Sequence, residues 1–312
     1  IIDLLRMTMY VFKDEGGKPE KKTIPEAEQA RAQRLHKDLV EKAAENDERL
    51  MEHYFDKGEL DEDEMSEGLR AGMMARTCLP VFCLSALRNM GSGRLMGFID
   101  NVAPGAQQMP ASKTVDGNDL TCRPEGPPVL FTFKTAIEAH SGRVTYFKVM
   151  SGEVREGMEL LNANTGSVER LNQLFIPEGK ERKQVDRLAA GDIGAVLKLK
   201  GTGTGQTLCT KGREVQLAPV QLPAPRLYRT VRAADQKLEE RLHASILEIQ
   251  QEDPSVTLRY VRESGEQVIG TLGEMHLGAV EWKLAKQYKV EAVFGSPRTA
   301  YRETIRKPSA AM

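Results

Sequence analysis

The chain has 312 residues, 40% apolar and 29% charged, and its 44 basic and 45 acidic side chains leave a net charge of -1. That length holds two or three domains of roughly 100–200 residues each, with an ordinary globular composition. The charge balance excludes a uniformly basic DNA coat and a disordered acidic tail, and no apolar run approaches the ~20 residues of a membrane-spanning helix. The first residues, Ile1 to Arg6, lack a signal-peptide pattern. The four cysteines (Cys78, Cys83, Cys122, Cys209) form no C-x-x-C pair, so free thiols and a cytoplasmic location are expected. The chain opens on isoleucine in mid-pattern, which reads as the continuation of a longer protein.

The near-zero net charge averages unlike segments. Residues 13–70 hold 18 acidic and 11 basic side chains, whereas residues 143–312 hold 21 acidic and 26 basic. Within the acidic part, residues 26–55 read as one helix with Ala30, Leu35, Leu39, Ala43, Leu50 and Met51 on an apolar stripe. A second helix starts near Asp61, with Glu64 three positions on completing a capping box. The apolar run Leu79 to Leu84 reads as a buried strand, and a helix follows through Leu95, Phe98 and Val102 until Pro104 and Gly105.

From Val129 to Leu222 the pattern is β. Strands are expected at 129–137, 144–150, 158–163, 168–175 and 193–200, punctuated by glycines, and a small antiparallel barrel is their natural closure. The Gly201–Gly205 run (GTGTG) lacks a following Lys-Ser/Thr and opens no helix, so it reads as a turn, not a phosphate loop. After Pro223 and Pro225 the order is strand 227–232, helix 235–250, strands 256–262 and 267–272, helix 274–287 and strand 290–294. This is the ferredoxin-like βαββαβ plan. His276 has no second ligand nearby in sequence and reads as a packed or capping residue, Asp253-Pro254 as a helix stop, and Trp282 as filling a core or interdomain seam.

Gly270 to Leu277 (GTLGEMHL), Glu252-Asp253-Pro254 and Ala300 to Ile305 (AYRETI) resemble the translational GTPases, and most closely the elongation factor G family. The β segment resembles that family's second domain through Gly142-Arg143-Val144, Val149 to Gly152 and Ala190 to Ile193, and Ser85-Ala86-Leu87 resembles the last guanine-binding motif. The resemblance departs from the family pattern at Ala139-His140 and Thr271. It implies a multidomain α+β chain in four parts. Residues 1–110 would be the C-terminal remnant of a GTPase domain with an acidic helical insertion, and 111–222 a linker and antiparallel β-barrel. Residues 223–303 would be a ferredoxin-like domain, and 304–312 the start of a further one.

The implied function is that of the central portion of a GTP-dependent factor acting on the ribosome in tRNA and mRNA translocation. Alternatives are a divergent ribosomal-protection or peptide-release paralogue, or a stand-alone ribosome- or RNA-binding module. GTP and Mg²⁺ belong to the longer protein. This sequence has no Gly-x-x-x-x-Gly-Lys-Ser/Thr and no Asn-Lys-x-Asp motif, so Ser85, Ala86 and Leu87 are left with a base contact in an incomplete site. No catalytic or metal-ligating set is expected. The candidate RNA contacts are Arg143, Lys148, Arg229, Arg259 and Arg262. Ribosomal RNA and small-subunit proteins are the implied partners, with no DNA or membrane, for a monomer that hinges around Leu222–Arg226.

Overall fold

The computed structural model of the chain describes residues 1–138, 142–179 and 181–299. The 139–141 departure and the 300–305 motif therefore lie outside the described residues, as does the segment 304–312. The chain divides into two compact units, residues 1–109 and from Pro110 onward.

In the first unit, β1 (Ile2–Asp3), β2 (Thr8–Val11) and β3 (Glu20–Lys22) form a three-stranded antiparallel sheet. The helices are α1 (Glu26–Ala44), α2 (Glu48–Lys57), α3 (Glu62–Ala75) and α4 (Ser92–Asn101). The single helix expected over 26–55 is in fact two. Asp47 adopts an extended conformation and its carboxylate accepts from the Arg49 and Leu50 amides, so a good N-cap wins over the continuing apolar stripe. The Asp61–Glu64 capping box forms as expected. α1 and α3 meet through small residues: a Cβ on Gly68 would stand 2.4 Å from the Ala43 carbonyl oxygen. Val40, Ala43, Met65, Leu69 and Val102 make the core there.

Residues 79–84 are not a buried strand. They pair with no strand among the described residues, and Leu79, Val81 and Leu84 are exposed. Phe82 alone finds a partner, stacking edge-on against Phe98 of α4 with 4.8 Å between ring centroids. An apolar run specifies burial only where a neighbouring strand or layer covers it.

The second unit opens with the short hairpin β4 (Ser112–Lys113) and β5 (Asp119–Leu120). The strands that follow are β6 (Val129–Glu138), β7 (Gly142–Ser151), β8 (Glu153–Arg155), β9 (Glu159–Asn162) and β10 (Val168–Arg170). Then come β11 (Leu174–Glu178), β12 (Glu181–Val185), β13 (Arg187–Ala189), β14 (Ile193–Leu197) and β15 (Gln206–Cys209). Eight of them form one sheet in the order β10-β9-β15-β6-β7-β14-β11-β12, and β8 pairs with β13. Leu130, Phe147, Val154, Leu160, Leu174, Leu188, Val196 and Leu208 share one core. A sheet whose strands all feed one core is wrapped around it, as a half-barrel. Among the described residues no backbone pairing joins β10 to β12, so the expected barrel is not closed by a ladder. The strand expected at 168–175 is interrupted where Leu171 turns into the core.

Beyond the linker lie β16 (Leu227–Ala233), α5 (Glu239–Glu252), β17 (Thr257–Val261), β18 (Glu266–Thr271), α6 (Glu274–Lys286) and β19 (Ala292–Gly295). The sheet order β17-β18-β16-β19, antiparallel throughout, is that of the split βαβ plan. Both helices cover one face, where Val231, Ile246, Ile249, Ile269, Leu277, Val280 and Leu284 interlock. Trp282 fills neither core nor seam: it is 62% exposed, because Leu277, Val280 and Leu284 take the sheet-facing side of α6.

Candidate functional site

The half-barrel and the βαββαβ part meet at a polar seam built on the C-terminal turn of α5. The helix stops at Asp253, whose amide still reaches the Ile249 carbonyl at 2.8 Å before Pro254 prevents continuation. The side chain of Glu252, only 8% exposed, accepts from the Ile137 amide of β6 and from Lys283 Nζ of α6, both at 2.5 Å. Gln287 Nε2 donates to the Ile137 carbonyl at 2.9 Å. Two side chains of the βαββαβ part therefore satisfy both backbone groups of one β6 residue, as a paired strand would do. Beside them, Thr204 Oγ1 accepts from the Thr135 amide and donates to the Gln251 carbonyl, each at 3.0 Å. The Tyr288 phenol is pushed well above its ordinary range by burial and then by the Glu252 and Glu248 charges, so it stays protonated.

His276 ties the start of α6 to the end of α5. Its Nδ1 accepts from the Leu272 amide at 3.1 Å, which leaves the proton on Nε2, donated to Asp253 Oδ2 at 3.0 Å. Asp253 Oδ1 accepts from the amide and hydroxyl of Ser255. Burial pushes the Asp253 carboxyl upward, but the two Ser255 bonds and His276 outweigh it and hold the group below its ordinary 3.8. A depressed carboxyl stabilises the fold above its unfolded value, and that contribution fades as pH falls through the folded value. The melting-temperature gap between the native chain and Asp253→Asn should thus be widest near neutrality and narrow below about pH 4. A gap that stays constant down to about pH 2.5 would contradict this linkage.

The sequence-derived basic candidates do not form one cluster. Arg143 is engaged in the seam, donating to Gln251 Oε1 and, at 3.5 Å, to the Lys200 carbonyl. Lys148 alternates with buried Phe147 and Val149, which puts it on the outer surface of the half-barrel opposite Phe131 and Ile193. Arg229 shares the helix-covered face with Val231 and pairs with Glu274 Oε1 at 2.8 Å. Arg259 lies on the opposite, uncovered face, where its guanidinium stands 5.5 Å from the Tyr228 ring centroid. Arg262 is exposed in the turn joining β17 to β18. Tyr228 escaped the sequence reading, although its alternation with Thr230 and Arg232 along β16 carried the signal.

Ser85 is bridged to Met90 by reciprocal backbone bonds of 2.9 Å, and the Ala86 carbonyl accepts the Asn89 amide. Leu87 is 97% exposed. Among the described residues no group of three or more His, Cys, Asp or Glu could hold a metal ion, and the sequence has no phosphate loop, so the residues present do not fit Mg²⁺ with phosphates. The Gly201–Gly205 run is occupied from within. Buried Glu169 accepts from the Lys200 and Gly201 amides and the Thr202 hydroxyl, while Gln206 takes the Gly203 amide. No helix among the described residues is long and apolar enough to cross a membrane.

A half-barrel clasped to a βαββαβ module, preceded by an acidic helical unit, is the architecture of a translation factor. The family model for Elongation factor G domain 2 matches residues 127–211, and that for Elongation Factor G, domain III matches residues 222–296. The chain belongs to the elongation factor G family. Elongation factor G 2 of Syntrophomonas wolfei is 31% identical over 317 residues, covering 100% of this chain and 46% of the relative. Elongation factor G of Thermotoga petrophila matches with the same identity and coverage. A crystal structure of a Thermus thermophilus protein superposes with a TM-score of 0.82 at 26% identity, covering 98% of this chain and 44% of that one. The chain thus spans about half the length of the curated relatives it matches.

Proposed function

We propose that the chain works as the middle portion of a GTP-dependent elongation factor that moves tRNA and mRNA through the ribosome. In this reading residues 1–110 close a GTPase domain with its acidic insertion, 111–222 are a barrel domain on the small subunit, and 223–303 are a ferredoxin-like relay. GTP and Mg²⁺ serve the longer protein. Ser85, Ala86 and Leu87 touch only the base, and these residues alone hydrolyse nothing. The protein acts in the cytoplasm as a monomer, with ribosomal RNA and small-subunit proteins as partners and neither DNA nor membrane.

The observation that supports this reading is the seam at Ile137, where Glu252 and Gln287 couple the two parts through directed bonds. A rotation about Leu222–Arg226 has to release those bonds together, which gives the relay two discrete states instead of a soft joint. Arg143 then serves the seam, leaving Lys148, Arg259 and Arg262 for phosphates. Co-sedimentation of the chain with purified ribosomes tests the reading. Pelleting should be salt-sensitive and weaken when Lys148 and Arg262 are both changed to alanine. A chain that stays in the supernatant at low salt refutes it.

A further inference from the structure

The βαββαβ sheet has helices on one face only. The other face carries Thr257, Arg259 and Val261 from β17, Val268 and Gly270 from β18, and Tyr228, Thr230 and Arg232 from β16. Buried Val268 stays outside the helix-side core, as expected for the centre of this second face. Tyr228 is 38% exposed there. Its ring lies against Gly270, where an added Cβ would come within 2.9 Å of Tyr228 Cε1 and 2.4 Å of Thr257 Oγ1. Only a glycine lets the phenol lie flat on the sheet. The Arg259 guanidinium covers part of the ring and donates to Tyr228 Oη at 3.4 Å.

The two guanidinium groups on this face are not neutralised: Arg232 and Arg259 have no acidic partner among the described residues, Glu266 is taken by Arg298 at 3.4 Å, and Glu263 and Glu291 lie at the ends of the face. A flat aromatic beside unpaired guanidinium groups on an open four-stranded sheet suits an unstacked base with its flanking phosphates. A double helix hides its base faces and offers phosphates alone. A protein segment would leave the arginines uncompensated unless it were acidic.

We propose that this face is a single-stranded RNA platform, on which one base stacks against the Tyr228–Arg259 pair while Arg232 and Arg259 meet adjacent phosphates. The inference rests on the ribosomal reading and deepens it, by assigning the βαββαβ part an unpaired RNA segment in place of a duplex backbone.

Fluorescence anisotropy with a labelled oligouridylate and an RNA duplex of equal length tests it on the 312-residue chain. The single strand should bind more tightly than the duplex. Tyr228→Ala should weaken that binding about tenfold or more, while Tyr228→Phe stays within about twofold because the ring does the stacking. Arg259→Ala should weaken it too and make the salt dependence shallower by about 0.7 in log–log slope. Melting curves confirm that each variant is folded. Unchanged affinity in Tyr228→Ala, or duplex binding as tight as single-strand binding, overturns the platform. So does binding only to an acidic peptide. If the chain pellets with ribosomes yet binds no oligouridylate, the platform fails and the ribosomal reading stands; oligouridylate binding without ribosome pelleting has the reverse meaning.

Discussion

Glu252→Ala should destabilise the second unit by about 2–4 kcal/mol. The carboxylate is almost fully buried and serves two donors, Ile137 N–H and Lys283 Nζ. Alanine leaves an amide without an acceptor and an ammonium without its counter-charge. Lys283 is 34% exposed, so water recovers part of the second loss, and the expected effect sits below the full cost of breaking a buried pair. For a unit of this size that corresponds to a melting-temperature drop of about 5–12 °C.

Glu252→Gln separates the two contributions. The amide oxygen still accepts from Ile137 while the charge facing Lys283 is gone, so about half of the loss should remain. A double-mutant cycle between Glu252→Ala and Gln287→Ala should show coupling above about 0.5 kcal/mol, since both side chains hold the same β6 residue. Proteolysis in the 222–226 linker should accelerate in parallel. A melting shift under about 2 °C together with unchanged proteolysis would show that the seam holds nothing.

The seam could not have been found from sequence. Ile137 and Glu252 are separated by 115 positions, and nothing local marks an isoleucine at a strand end as the docking point of a distant carboxylate. What could be read was periodicity. Leu238, Leu242, Ile246 and Ile249 announce α5, and Leu277, Val280 and Leu284 announce α6. Which face of the sheet each basic candidate takes was not legible, because relating Arg229 to Arg259 needs the register Arg259↔Val268↔Thr230, which only pairing supplies. β12, with Glu181, Arg182, Lys183 and Gln184, has no apolar alternation, since it is the polar outer strand of the sheet. At 79–84 an apolar run stays exposed because no strand among the described residues covers it, and at 26–55 the Asp47 cap breaks a continuous apolar stripe into two helices.

Gly152→Ala should cost about 3–5 kcal/mol, from two penalties that add at one position. Its φ of +72° lies in the left-handed region, where a Cβ clashes with its own carbonyl. A Cβ there would also stand 2.5 Å from the Gly126 oxygen, 2.7 Å from Pro128 N and 2.8 Å from Pro127 C. Those neighbours are all backbone, and two belong to prolines, so no flexible side chain can swing aside. The segment is held from the other direction as well, because the Gly152 amide donates to the Arg123 carbonyl at 2.8 Å and Ser151 pairs with Val129. Relaxing the clash means moving the entry of β6, which carries the central pairing of the half-barrel. Gly166→Ala provides the control. Gly166 has a φ of +74° and open space around the missing Cβ, so it should lose only the conformational strain, about 1–2 kcal/mol. The difference between the two variants in urea unfolding isolates the close approach. If Gly152→Ala unfolds at the same midpoint as Gly166→Ala, the chain at 126–128 yields freely, and the Met150-Ser151-Gly152 signature reflects turn geometry alone.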